Sequence, residues 1–104
     1  MCTNRFYVHQ SLHDAFVQKL AEATQKIKVA PGLEPGSQLG PLIDQQAVDK
    51  VKSHVEDAVT KGAQLVIGGK SHALGGTFYE PTVLSGVKKG MLITEEETFG
   101  PVAA

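Results

Sequence analysis

The sequence predicts an α/β fold in which two main amphipathic helices cover a small sheet. Apolar residues recur at helical spacing in segments 12–27 and 44–62, which indicates the helices. Runs of β-branched and aromatic residues at 5–10, 63–69 and 77–84 suit short strands. The length of 104 residues suits a single small domain. The predicted order is therefore strand, helix, loop, helix, strand, strand and turn.

The first helix is predicted to follow Ser11, which is a good N-cap, and Asp14 completes a pattern like a capping box. Pro31 and Pro35 in the following loop interrupt helical hydrogen bonding. The apolar face is expected to consist of residues at helical spacing: Leu12, Phe16, Leu20, Ala23 and Ile27.

The second helix is predicted between Asp44, a candidate N-cap, and Gly62, which lies where a C-capping glycine belongs. Polar and charged residues fill its exposed side. Its apolar face is expected to consist of Val48, Val51, Val55, Ala58 and Val59.

The strand over 63–69 is expected to be buried and to end in a turn. Pro81 cannot donate a ladder hydrogen bond, so the strand over 77–84 is expected to lie at a sheet edge or to bend. The sequence MLITEEETFGPV, residues 91–102, predicts a short apolar stretch, one helical turn at the acidic residues and an extended exit.

Charge and hydropathy exclude several classes of protein. The formal net charge is −1, and no Lys/Arg stripe indicates binding to nucleic acid. No apolar run approaches the ~20 residues that cross a bilayer, and the N-terminus lacks the pattern of a signal peptide. We therefore expect a cytoplasmic protein with no membrane or nucleic-acid partner.

The single cysteine, Cys2, excludes an internal disulfide. A cysteine nucleophile needs a nearby base or cation, and Arg5 lies at an odd spacing that would point it to the opposite face of a strand. The residues alone favour an inert or redox-sensitive thiol over a catalytic one.

The histidines show no metal-ligand spacing with Cys2, so no metal site is predicted. All are expected to be surface groups: His13 and His54 outside the apolar faces of the helices, and His72 in a turn. Two glycine pairs, at 68–69 and 75–76, fit turns better than a phosphate-binding loop.

Three consecutive acidic residues, 95–97, precede Phe99 and a Gly-Pro turn. One carboxylate can accept hydrogen bonds from two neighbouring hydroxyls of a sugar. An aromatic ring two residues later can pack on a flat heterocycle. Spacing leaves two interpretations open: a nucleotide-sugar pocket and a solvated acidic turn.

Four motifs give the chain a family resemblance. EETFGPV resembles the E-E-x-F-G-P-V signature of the aldehyde dehydrogenase superfamily, and GGTFYEPTVL and LGPLI resemble its Pro-Thr strand and its Gly-Pro-Leu-Ile loop. VKSHVEDAVTKGAQLVIGG resembles the helix and strand between those motifs, and CTNRFYVHQSLHDAFVQKLAEA resembles the segment after the catalytic cysteine. Order and spacing agree over residues 2–102. CTNRFYV with GPLID is most similar to the succinate-semialdehyde dehydrogenases.

The resemblance implies oxidation of an aldehyde, succinate semialdehyde in particular, to the acid with NAD or NADP. It assigns the contact with the nicotinamide ribose to Glu97 and packing by the nicotinamide to Phe99. These roles agree with the carboxylate and the ring that residue chemistry singled out.

The departures from the family bear on activity. The family's catalytic cysteine would fall just ahead of Met1, and its general-base glutamate and oxyanion asparagine precede this segment. Cys2 matches a second cysteine that forms a reversible disulfide with the nucleophile in some members, so the resemblance implies a redox switch. We expect residues 1–104 to form a single, partial catalytic domain that lacks the nucleotide-binding half, catalyses no oxidation alone and binds no cofactor alone.

A second hypothesis is a non-enzymatic α/β module that acts through self-association or partner binding. Truncation of a larger domain would expose apolar surface, which favours association into a homo-oligomer. The partner of the whole enzyme would be a small aldehyde. A dehydrogenase assay on the purified chain separates activity from its absence.

Overall fold

The computed structural model describes residues 5–104 and confirms the predicted α/β class. A short 3₁₀ turn, Gln10–Leu12, leads into the first helix. The elements follow in the order α1 (His13–Gln25), α2 (Gln45–Thr60), β1 (Gln64–Ile67), β2 (Thr82–Ser85), α3 (Leu92–Glu95) and β3 (Val102–Ala103).

The three strands form one sheet in the order β1-β2-β3, with β2 antiparallel to β1 and parallel to β3. Of the two alternatives predicted for the Pro81 strand, an edge position or a bend, the edge position is wrong, because β2 is central and all four of its residues are buried. Pro81 lies just before the strand, so its missing N–H falls outside the ladder. The first ladder donor is Thr82, whose N–H donates to the Pro101 carbonyl at 2.8 Å.

β1 is an edge strand, and the prediction that it is buried is wrong: Gln64 is exposed and Leu65 is 41% exposed. The register of its pairing shifts between Leu65 and Ile67, which marks a β-bulge. Gly68 follows with a φ of 77°, and a Cβ there would collide with the Pro81 carbonyl oxygen. The bulge therefore depends on a glycine at this position.

The predicted strand over 5–10 is not formed. Within it, the Phe6 N–H donates to the Ala104 carbonyl at 2.8 Å, and the chain then turns. His9 occupies the N-cap position of the 3₁₀ turn, where its Nδ1 accepts from the Ser11 N–H at 3.3 Å. The prediction of Ser11 as the N-cap of the helix is also wrong, because Ser11 lies inside the 3₁₀ turn and the N-cap position of α1 is Leu12, whose side chain makes no capping bond.

α1 is amphipathic as predicted but ends two residues before Ile27. Its inward face is rotated by about one position relative to the prediction: Ala23 is exposed, whereas Thr24 is buried. Phe16 packs on Phe6 with the ring centroids 5.8 Å apart. Much of this helix face is only half-buried, so α1 contributes less to the core than α2.

α2 supplies the centre of the core. Asp44 is its N-cap as predicted, and its Oδ1 accepts from the Ala47 N–H at 2.8 Å. Gly62 follows the helix with a φ of 99°, which confirms its role in ending it. Val59 is 42% exposed rather than buried. The buried core cluster comprises Val48, Val51, Val55, Ala58, Ala63, Tyr79, Leu84, Met91 and Ile93.

Candidate functional site

The residues that the sequence singles out lie on one extended stretch, 96–101, which we call the EETFGP segment. The segment joins the end of α3 to the start of β3 and packs along α2. Successive residues of an extended chain point to opposite sides. Glu96, Thr98 and Gly100 accordingly contact α2, whereas Glu97 and Phe99 are exposed.

Thr98 is held by a histidine of α2. The Nδ1 of His54 lies 2.8 Å from the Thr98 Oγ1 in a hydrogen bond. His54 is 1% exposed, so the prediction that it is a surface group is wrong. It lies three residues after Val51 and four before Ala58, which places it inside the apolar stripe.

Glu96 lies beside a lysine and a histidine of α2, Lys50 and His54. Its Oε2 is 3.5 Å from the Lys50 Nζ and 3.5 Å from the His54 Nε2. A carboxylate only accepts hydrogen bonds, so its position favours a proton on Nε2. Nδ1 then accepts from the Thr98 hydroxyl, and the imidazole connects two residues of the EETFGP segment.

Gly100 brings the backbone of the segment directly against α2. A Cβ at this position would collide with the Cγ2 of Val51, a fully buried core residue. One residue later, the Pro101 carbonyl accepts from the Thr82 N–H, and β3 begins. Glycine is thus needed here for close approach.

The other end of the segment is held through α3. The Asp57 Oδ2 accepts from the Leu92 N–H at 2.7 Å, and the Lys61 Nζ donates to the Gly90 carbonyl at 2.8 Å. Lys61 also pairs with Asp57 at 2.7 Å. The Lys61 hydrogen bond, with the one from Leu92, lowers the pKa of the Asp57 carboxyl below its ordinary value of 3.8. α2 therefore holds the chain both before the EETFGP segment, at Gly90 and Leu92, and within it, at Thr98.

Glu97 and Phe99 present their side chains away from these anchors. Glu97 is exposed, and Phe99 is 76% exposed. The Glu97 carboxylate has no hydrogen-bond or ion-pair partner among residues 5–104. The segment thus offers a hydrogen-bond acceptor at Glu97 and an aromatic surface at Phe99, two residues apart and both accessible.

Concave surfaces lie elsewhere in the molecule. One, of about 280 Å³, is lined in part by Phe6, Phe16 and Val83. Its lining includes neither Glu97 nor Phe99. The EETFGP segment therefore offers an exposed surface, and a second surface is needed to enclose a ligand there.

The remaining predicted residues take other places. Cys2 lies outside the described residues. His13 Nδ1 pairs locally with Asp14 at 2.9 Å. His72 Nδ1 accepts from the Leu74 N–H at 3.1 Å within a turn, as its predicted position implies.

The glycine pair at 68–69 has positive φ at both residues, 77° and 81°, and the Gly69 N–H donates to the Thr82 Oγ1 at 2.8 Å. Over residues 5–104, no group of three or more His, Cys, Asp or Glu residues is placed to hold a metal ion. No helix in this part of the chain is both long and apolar enough to span a membrane.

Comparison with known proteins places this geometry in context. The profile of the aldehyde dehydrogenase family matches residues 1–104. The chain is 55% identical to glutarate-semialdehyde dehydrogenase of Pseudomonas aeruginosa, with 99% of this chain and 21% of that protein covered. It is 56% identical to mitochondrial succinate-semialdehyde dehydrogenase of Rattus norvegicus, with 99% and 20% covered. It is 54% identical to succinate-semialdehyde dehydrogenase [NADP(+)] 1 of Schizosaccharomyces pombe, with 100% and 21% covered.

A solved structure shows the same agreement. The crystal structure of succinate-semialdehyde dehydrogenase from Burkholderia pseudomallei superposes with a TM-score of 0.95 at 60% identity, over 98% of this chain and 21% of that one. The chain thus spans about a fifth of the length of the relatives it matches.

Proposed function

Because the chain belongs to the aldehyde dehydrogenase family, we propose that it forms one side of the nicotinamide site in an NAD(P)-dependent aldehyde dehydrogenase. One observation carries the proposal. Glu97 and Phe99 are both exposed on the EETFGP segment, whose alternate residues are anchored to α2.

Each residue has a role that follows from its chemistry. The Glu97 carboxylate accepts hydrogen bonds from the two neighbouring hydroxyls of the nicotinamide ribose. The ring of Phe99 packs beside the flat nicotinamide, so the two side chains orient adjacent parts of the cofactor. The cofactor, when bound, supplies the acceptor for the hydride that leaves the aldehyde carbon.

We place the substrate among short aldehydes that carry a carboxylate at the far end. The relatives named above act, by their names, on succinate and glutarate semialdehydes. These two substrates share an aldehyde and a terminal carboxylate and differ by one methylene. A semialdehyde of this class, succinate semialdehyde first, is the proposed substrate of the whole enzyme.

We propose that residues 1–104 make up a single, partial catalytic domain without the nucleotide-binding half. Over the described residues there is no cysteine to act as a nucleophile. The proposed role of Cys2 is that of a redox-switch thiol. The chain by itself is therefore expected to bind no cofactor and to reduce no NAD(P) in the presence of aldehyde.

The proposal is tested by segment exchange. This chain replaces the matching segment of the Burkholderia pseudomallei enzyme, to which it is 60% identical. The chimera is expected to oxidise succinate semialdehyde with reduction of NAD or NADP. Glu97→Gln in the chimera should raise the KM for the cofactor about tenfold, because it weakens a charged hydrogen bond.

The matched control is Glu22→Gln, which removes an exposed carboxylate of α1 that bonds only to its neighbour Gln18 at 3.1 Å. It should leave the KM for the cofactor unchanged. A folded chimera without activity, or a Glu97→Gln variant with the unaltered cofactor KM, would overturn the proposal.

The second hypothesis, a self-associating α/β module, is favoured by exposed apolar side chains. Tyr7 is 92% exposed, Leu12 61% and Leu65 41%. The test is the molecular mass of the purified chain by analytical ultracentrifugation over a range of concentrations. A monomer at every concentration contradicts self-association, and turnover by the chain alone contradicts a non-enzymatic module.

A further inference from the structure

We propose that His54 is a positioning residue for the nicotinamide site: it holds Thr98 and Glu96 in place so that Glu97 and Phe99 face the cofactor. The inference rests on the proposed function of Glu97 and Phe99. His54 touches neither the cofactor nor the substrate in this proposal and acts through the backbone of the EETFGP segment.

The burial of His54 requires an explanation. The residue is 1% exposed and lies on α2 between the core valines Val51 and Val55. Imidazole is polar, and a buried polar ring without partners destabilises a fold. Both ring nitrogens face groups of one segment: Nδ1 faces the Thr98 hydroxyl and Nε2 faces the Glu96 carboxylate. An aliphatic side chain could also pack in the apolar stripe of α2, but it could not make these two polar contacts.

The middle of the EETFGP segment, residues 97–99, has no backbone hydrogen bonds within the described chain to hold it, although both of its ends have them. The Glu96 N–H donates to the Leu92 carbonyl at 2.9 Å, and the Pro101 carbonyl is held by Thr82. Between them, the backbone of residues 97–99 makes no backbone hydrogen bond to any part of the described chain. The bond from Thr98 to His54 is therefore the polar contact that fixes the middle of the segment.

Fixing Thr98 also fixes its two neighbours. In an extended chain, residues on either side of an inward residue point outward together. With Glu96, Thr98 and Gly100 held against α2, rotation of the segment about its own axis is blocked. Glu97 and Phe99 then keep one direction, which is the geometric requirement for orienting a ligand with two side chains.

Lys50 strengthens one of these contacts without replacing it. Its Nζ lies 3.5 Å from the Glu96 Oε2, but both side chains are about half exposed, so solvent screens the pair. The bond between His54 and Thr98 is shielded because the imidazole is buried. We therefore assign the positioning role to His54 rather than to Lys50.

The test uses the active chimera and the pair Thr98→Val and Thr98→Ser. Valine keeps the shape of threonine but removes the hydroxyl, whereas serine retains it. Thr98→Val should raise the KM for the cofactor about three- to tenfold while the KM for the aldehyde stays within about twofold, since one hydrogen bond is lost. Thr98→Ser should restore the cofactor KM. Thr60→Val, at an exposed position of α2, is the control.

A second readout needs no cofactor. Amide hydrogen exchange of Glu96 and Thr82, whose N–H groups make the hydrogen bonds at the two ends of the segment, should be faster in the cofactor-free Thr98→Val chimera than in the parent, and Thr98→Ser should return it to the parent rate. His54→Asn keeps a hydrogen-bonding group near Nδ1 and should perturb exchange less than His54→Leu does. Where a His54 variant fails to fold, the Thr98 pair still gives the answer.

The two proposals fail in different ways. If Glu97→Gln raises the cofactor KM but Thr98→Val changes neither that KM nor the exchange rate, the positioning role of His54 is overturned and the proposed function stands. If Glu97→Gln has no effect on the cofactor KM, the proposed function is overturned. Faster exchange in Thr98→Val then still supports His54 as the anchor of the segment.

Discussion

Asp57 on α2 accepts a hydrogen bond from the backbone N–H of Leu92 at 2.7 Å, and so joins the last turn of the long helix to the first residue of α3. Together with the bond between His54 and Thr98, it makes one face of α2 the support for the whole acidic stretch. Helix α2 therefore orients the surface that carries Glu97 and Phe99.

The Asp57 contact predicts a defined pH dependence of stability. The pKa of Asp57 is lowered in the folded chain, first by the Lys61 hydrogen bond and then by that of Leu92. The stabilisation is fully present above the ordinary value of 3.8 and is lost as the pH falls through the lower folded pKa. Urea unfolding should show a gap between parent and Asp57→Asn at neutral pH that narrows below about pH 4. Asp49→Asn, an exposed control on α2, should show a smaller gap, and an Asp57→Asn gap independent of pH contradicts the prediction.

Gly100 should tolerate no larger residue while Val51 faces it. Gly100→Ala is expected to lower the free energy of unfolding by about 1–3 kcal/mol, because the new methyl group overlaps the Val51 side chain. Val51→Ala in the same chain should remove most of that loss in a double-mutant cycle. Gly32→Ala, where a Cβ meets nothing within 4 Å, is the control. Additive effects of Gly100→Ala and Val51→Ala would refute the contact.

Gly68 combines a positive φ with a crowded position, and a matched glycine separates the two causes. Gly68 and Gly75 have φ values of 77° and 74°, but a Cβ at Gly75 meets open space. Gly75→Ala should cost about 1 kcal/mol from backbone strain alone. Gly68→Ala should cost about 3 kcal/mol or more, because it also collides with the Pro81 carbonyl. Equal midpoints of urea unfolding for the two variants would show that crowding contributes nothing.

Tyr79 places a hydroxyl in the core that has no hydrogen-bond partner among the described residues. Burial, followed by the charges of Glu56 and Glu80, raises the pKa of this hydroxyl. Tyr79→Phe should leave the stability unchanged or raise it by up to about 1 kcal/mol, because it removes an unsatisfied polar atom. Tyr7→Phe, at a position 92% exposed, should have no effect. A marked loss of stability in Tyr79→Phe would indicate a partner for the hydroxyl.

Features that depend on neighbouring residues could be predicted from the sequence. Asp44 and Gly62 mark the ends of α2, and the spacing of Val48, Val51 and Val55 identifies its core face. Capping and helical periodicity act over a few positions, so local sequence contains the information. The pairing of Glu97 with Phe99 on one side is also local, since an extended chain repeats every two residues.

Features that depend on distant pairs could not be predicted in this way. Pro81 suggested an edge strand, but β3, about 20 residues later, pairs with β2 and makes it central. The polarity of imidazole predicts a surface position for His54, although its place in the sequence falls within the apolar stripe of α2.

The sequence by itself determined the class of fold, the extent of α2 and the motif that contains Glu97 and Phe99. Tertiary structure decided that His54 is buried and that Thr98, 44 positions away, meets it. The physical reason is that a buried imidazole destabilises the fold unless its polar atoms have a partner. That partner comes from a part of the chain whose approach depends on how the helices and strands pack.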